Sequence, residues 1–176
     1  MSGWNVSNVT NMSRMFNSAE VFTSDLSSWD TSNVTDMSGI FSYAMEFTSD
    51  LSQWKTNQVT DMGWAFYSAS AFTSDLSSWD TSNVTNMDMA FAYTYFNPDV
   101  SGWDVSNVRN FSSMFMGAPN FNRDLSAWDT TSATNMSLMF SDAESFNSNI
   151  STWKTGNVTS MQMMFNGSSI FNGDIS

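Results

Sequence analysis

Carboxylates recur through this chain at 24- to 25-residue intervals, and they are the side chains best suited to chemistry. One column is Asp25, Asp50, Asp75, Asp99, Asp124, Asn149 and Asp174; a second is Asp30, Asp80, Asp104 and Asp129, interrupted by Lys55 and Lys154. Oxygen ligands at this density suit calcium, and paired carboxylates can act as acid and base. Neither the EF-hand spacing nor a glycine-aspartate nonapeptide is present, however. A pair that recurs with the repeat also marks no unique pocket, and capping of tight turns accounts for both columns more simply. Cysteine and histidine are absent, which removes thiolates, imidazole bases and the usual zinc ligands together. No Gly-rich phosphate loop or nucleophile-base set occurs, so the expectation is a protein that is not an enzyme and holds no cofactor or metal.

Two other sets of side chains can meet a partner. The tyrosines Tyr43, Tyr67, Tyr93 and Tyr95, with Trp64, Met89 and Met116, stand where the repeats differ from one another. Variable positions are where repeat proteins carry their binding surfaces, since the constant ones make the fold, and aromatic and methionine side chains are favoured at interfaces. The second set is a threonine column, Thr31, Thr56, Thr81, Thr130 and Thr155, broken by Val6 and Val105, beside a serine column unbroken from Ser27 to Ser176. A flat rank of hydroxyls and methyls at ~4.8 Å intervals can order water, which makes ice the alternative ligand.

Behind these columns stands a repeat. Tryptophan returns at Trp4, Trp29, Trp54, Trp79, Trp103, Trp128 and Trp153, dividing a single domain into repeats 4–28, 29–53, 54–78, 79–102, 103–127, 128–152 and 153–176, the fourth shortened by one residue near Tyr95 and Phe96. Phenylalanine is invariant in two more columns, Phe16 to Phe165 and Phe22 to Phe171. Regular recurrence of this kind indicates stacked coils rather than one central core. Within a repeat, Val9, Met12, Phe16 and Ala19 step by three, four and three, the period of an amphipathic helix. Thr10, Thr35, Thr60, Thr85, Thr134 and Thr159 precede that segment as N-cap candidates. The stretch from Asp25 to Thr31 lacks that period and reads as a short strand, although Leu26 and Trp29, three apart, require a bend. Asn8, Asn33, Asn83, Asn107 and Asn157 form a polar ladder that can satisfy the backbone of a turn.

The run Trp79 to Met87, the pair Met139-Phe140 and the segment Phe121 to Ser126 resemble the repeat of BspA-like leucine-rich-repeat surface proteins, which mycoplasma-type surface lipoproteins share. The resemblance covers all seven repeats. It implies an α/β repeat: a leucine-rich-repeat-like solenoid of seven 25-residue coils, each a short parallel strand plus a short helix. It also implies a secreted or surface-anchored protein engaged in adhesion and protein binding, with no catalytic residues to carry over.

With 17 acidic against 5 basic residues and a net charge of −12, the surface repels phosphate backbones, so nucleic acid is not an expected partner. No apolar run reaches the ~20 residues that span a bilayer, and direct membrane insertion is not expected. Met1 opens no signal peptide, and neither end carries a polar capping repeat, which suits a piece of a longer array and permits end-to-end self-association. The expected partner is a protein or glycan on a neighbouring or host cell surface, met in an extracellular setting through the variable aromatic and methionine positions.

Overall fold

A computed structural model describes residues 3–175 of the chain; Met1 and Ser176, which figure in the leader and serine-column expectations, lie outside them. Successive repeats stack in register, as the aromatic columns require. Trp29 and Trp54 lie parallel with ring centroids 6.3 Å apart, and Trp128 and Trp153 6.1 Å apart. Phe41, Phe66 and Phe91 follow at 5.7 and 5.4 Å. Each coil also closes on itself across its core, with Phe41 on Phe47 at 4.0 Å and Phe140 on Phe146 at 3.8 Å. Fully burying one such ring stabilises the fold by about 1.5–3 kcal/mol, so the columns supply most of the stacking energy. The indole N–H groups of Trp54, Trp79, Trp103, Trp128 and Trp153 donate to the carbonyls of Leu26, Leu51, Leu76, Val100 and Leu125 one coil back, at 2.9–3.1 Å. That bond fixes the depth of each ring and the register of each coil.

The expected strand-plus-helix coil is not what forms. Among the described residues there is no helix, and the recorded strand pairing is a file of isolated parallel bridges through Asn11, Asp36, Asp61, Asn86, Asn110, Asn135 and Ser160. Along the expected helix of the second coil, the amides alternate. Met37, Gly39, Phe41 and Tyr43 donate forward to Asp61, Gly63, Ala65 and Tyr67 of the next coil at 2.7–3.0 Å, whereas Ile40, Ser42 and Ala44 donate back three residues to Met37, Gly39 and Phe41. An α-helix would use every amide four residues back and leave none to join the coils. A chain of interlocked turns serves both needs.

Two residues per coil adopt left-handed backbone to make these turns. One column is Arg14, Gly39, Trp64, Met89, Ser113, Leu138 and Met163; the other is Ser18, Tyr43, Ser68, Tyr93, Gly117, Asp142 and Gly167, with φ between 52° and 74°. Each stands third in a turn, closed by an amide donating three residues back as Ile40 does to Met37 O and Ala44 to Phe41 O, or after Tyr93 by the Thr94 hydroxyl donating to Phe91 O; a type II turn requires positive φ there. The expected strand from Asp25 to Thr31 is likewise a turn, with a second turn starting at Thr31. Trp29 N–H donates to Leu26 O at 3.1 Å and Val34 N–H to Thr31 O at 2.9 Å, so the turn itself brings Leu26 and Trp29 inward together.

The threonines expected as N-caps have no helix to cap among the described residues and join the coils instead. Thr35 and Thr60 each donate both backbone N–H and side-chain hydroxyl to one carbonyl, Thr10 O and Thr35 O respectively, on the preceding coil. The asparagine ladder ties neighbouring turns, with Asn33, Asn83, Asn107 and Asn157 amides donating to Ser7, Asn57, Ser82 and Thr131 carbonyls at 2.7–2.8 Å. At the one-residue deletion the order is locally broken. Phe96 turns edge-on to Phe72, at 79° and 5.5 Å, where Phe47 and Phe72 are parallel within 4°. The Arg123 guanidinium closes the irregularity by donating twice to Asn97 O, at 2.9 and 3.2 Å. Among the described residues no helix is long and apolar enough to cross a membrane.

Candidate functional site

The carboxylate columns are occupied by their own turns. Asp25, Asp50, Asp75, Asp99 and Asp124 each accept the backbone N–H of the serine two residues on, at 2.9–3.2 Å. Asp30, Asp80, Asp104 and Asp129 do the same with Ser32, Ser82, Ser106 and Thr131. These bonds favour the ionised form and hold several carboxyl groups below their usual range. The backbone N–H is the main cause at Asp25, Asp50 and Asp124, and the serine or threonine hydroxyl at Asp30, Asp80, Asp99 and Asp129. Among the described residues no three acidic side chains converge in a way that would hold a metal ion.

The threonine face expected to meet ice is inside the molecule. Thr31, Thr56, Thr81 and Thr130 are buried, and their hydroxyls donate at 2.8–3.0 Å to the carbonyls of Lys55, Asp80, Asp104 and Lys154 on the next coil. Thr31 and Thr130 also accept the amides of Lys55 and Lys154. Thr155 alone in this set is exposed. A small β-branched side chain that satisfies a buried carbonyl fits this column better than a solvent-facing role. Val6 and Val105, both buried in the same column, were the sign in the sequence that it points inward.

The variable aromatic residues do come together. Tyr43 meets Tyr67 edge-on at 5.0 Å, Tyr67 meets Tyr93 edge-on at 5.5 Å, and Trp64 leans on Tyr67 at 4.7 Å. Coils two, three and four thus contribute to one surface strip. Tyr67 is half-buried at its centre, while Tyr43, Trp64 and Tyr93 are exposed around it. Desolvation, and then the neighbouring Tyr43 hydroxyl, push the Tyr67 phenol up to about 12, so it stays neutral at physiological pH. The Trp64 indole donates to Asp88 Oδ2 at 3.1 Å, and Asp88 Oδ1 accepts the Ser112 hydroxyl at 2.8 Å, which fixes the indole's outer edge. Met89 continues the Trp64 column and Met116 the Tyr67 column, and both are half-buried. Tyr95, 64% exposed, stands apart from the ring cluster.

Three of these side chains, Tyr43, Trp64 and Tyr93, grow from left-handed residues, as does Met89. That conformation costs a residue other than glycine roughly 1–2 kcal/mol, and bulky residues are uncommon there. Glycine fills the same two columns at Gly39, Gly117 and Gly167, so the fold itself asks for no ring. The strip is flanked by two depressions. One, of about 270 Å³, lies among Arg14, Asn17, Ser38, Ser42, Tyr43 and Trp64. The other, of about 370 Å³, is lined by Tyr93, Tyr95, Gly117, Pro119, Asp142 and Glu144. The charged members were missed in the sequence, although Arg14 shares the column of Trp64, Asp142 that of Tyr93 and Glu144 that of Tyr95. Reading those columns for every residue type, rather than for aromatics, would have found them.

Neither the curated proteins nor the solved structures contain a match to the chain. One family model does match, described as Mycoplasma protein of unknown function, DUF285, and it matches twice, over residues 1–95 and 89–176. Two consecutive matches that together cover every residue leave no part of the repeat array outside the family, and the chain belongs to DUF285.

Proposed function

We propose that this chain is a binding module of a cell-surface or secreted protein, and that it mediates adhesion through the aromatic strip rather than catalysing a reaction. The observation that carries the reading is the gathering of Tyr43, Trp64 and Tyr93, from three coils, around Tyr67 at the surface. Rigid aromatic rings supply contact area at small entropic cost, and they gather at the variable positions where repeat proteins carry their binding surfaces. The carboxylates, each engaged by its own turn, supply no acid-base pair distinct from the repeat. Membership of a Mycoplasma repeat family, together with the resemblance to BspA-like surface proteins, supports the extracellular setting and a macromolecular partner.

Replacing Tyr43, Trp64 and Tyr93 together by glycine separates this role from folding. The variant relieves left-handed strain at three positions, which offsets the loss of three rings that are 38–45% exposed, so its Tm should stay close to that of the parent. Adhesion to cells or immobilised surface proteins should be lost. Retention of full adhesion by a stably folded triple variant sinks the proposal.

A further inference from the structure

The depression at the far end of the strip has a chemistry of its own. Its walls are Tyr93 and Tyr95, its other side carries Asp142 and Glu144, and Gly117 and Pro119 lie between. Tyr93 rests directly on Gly117, where an added Cβ would come within 2.5 Å of the ring, so the phenol is seated against the backbone. Tyr95 follows it in the shortened fourth coil, and its carbonyl accepts the Asn120 side-chain amide at 2.9 Å. Asp142 takes one weak bond, from the Ser141 hydroxyl at 3.3 Å. Neither Asp142 nor Glu144 forms an ion pair among the described residues, where Lys154 with Asp129 is the pair recorded.

Two phenols, Tyr93 half exposed and Tyr95 more so, beside two unneutralised carboxylates select a cation. Aromatic faces attract positive charge through their quadrupole, and the carboxylates add two full negative charges. A guanidinium satisfies both, because it stacks on rings and pairs with carboxylates through a planar fork. A neutral sugar could donate hydroxyls to the carboxylates but would leave their two charges uncompensated, and an anionic one would be repelled. Arg14 lies in the opposite depression, so the strip is electrically polar from end to end.

Resting on the aromatic strip as the docking surface, we propose that this depression anchors an arginine side chain presented by an exposed peptide segment of a partner protein. The test uses the whole chain and a labelled Gly/Ser peptide carrying arginines, read by fluorescence anisotropy. A counterpart peptide with neutral citrulline in place of each arginine should bind at least about tenfold more weakly. Tyr95→Ser, and separately the pair Asp142→Asn with Glu144→Gln, should weaken the arginine peptide by about tenfold. Asparagine tolerates the left-handed backbone of Asp142, and Tyr95 and Glu144 are exposed, so these variants keep the fold. Asp25→Asn with Asp50→Asn removes the same charge from another column and should change binding by less than about twofold.

Equal weakening by that distant pair would mean general attraction to an acidic surface and would overturn the anchor. So would equal binding of the citrulline peptide, or an unaltered Tyr95→Ser variant. If the triple glycine variant loses adhesion while the two peptides bind alike, the aromatic surface stands and the arginine site falls.

Discussion

Single residues in this protein are governed by which backbone group they must satisfy. Threonine shows it twice: the Thr31 column turns inward to serve carbonyls of the next coil, and the Thr35 column turns back to serve those of the preceding one. Aspartate shows it in the turns, where ionisation strengthens the bond accepted from the amide or hydroxyl two residues on. That gives stability a definite pH dependence. A folded-state pKa below the ordinary value stabilises the fold above the unfolded pKa, and the contribution is lost as pH falls through the folded value. For Asp25, Asp30, Asp50, Asp80, Asp99, Asp124 and Asp129 the shift is downward. At each of them hydrogen bonding outweighs the raising effect of burial, and at Asp50 that of Asp25 as well. Thermal melts should therefore be level from neutral pH down to about 5 and fall progressively below about 4. Changing several of these aspartates to asparagine should flatten that acid limb; an unchanged limb would place the acid sensitivity elsewhere.

At the scale of the element, apolar spacing and backbone conformation come apart. Met37, Ile40, Phe41 and Ala44 face the core at helical intervals, yet the segment is a chain of turns that sends alternate amides to the next coil. Steps of three and four suit both geometries, so periodicity alone could not choose between them. Left-handed positions would have betrayed the turns had they been glycine, but glycine occupies only Gly39, Gly117 and Gly167 among them. Those glycines give the test at this scale. Gly117→Ala must pay for φ of +63° and for displacing Tyr93, whereas Gly39→Ala, at +60°, meets Arg14 Cγ at 3.1 Å, the flexible part of a long side chain. Both should destabilise by at least about 1–2 kcal/mol, Gly117→Ala by more, with a change in tyrosine fluorescence that Gly39→Ala does not cause. Equal effects in denaturant melts would show that the Tyr93 ring is not seated on Gly117.

Across the whole molecule, stability is a sum over neighbouring coils. Phe66 is fully buried and lies against Phe41, Phe72, Phe91 and Trp79, whereas Phe165 in the seventh coil is half-buried. Phe66→Ala should cost about 3–5 kcal/mol and Phe165→Ala clearly less, with hydrogen exchange rising locally around each site rather than uniformly. Matching losses would indicate a single cooperative core. The constant columns were legible in the sequence, because each repeat must offer the same side chain at the same place for its neighbour to pack on; the rings of the strip showed as departures from that rule, and the charged residues at its ends did not. Whether a coil is helix or turns, and whether its threonines face in or out, was settled only by the stack. Those choices depend on where the next coil's carbonyls and amides stand, and a single repeat carries no record of that position until its neighbours are in place.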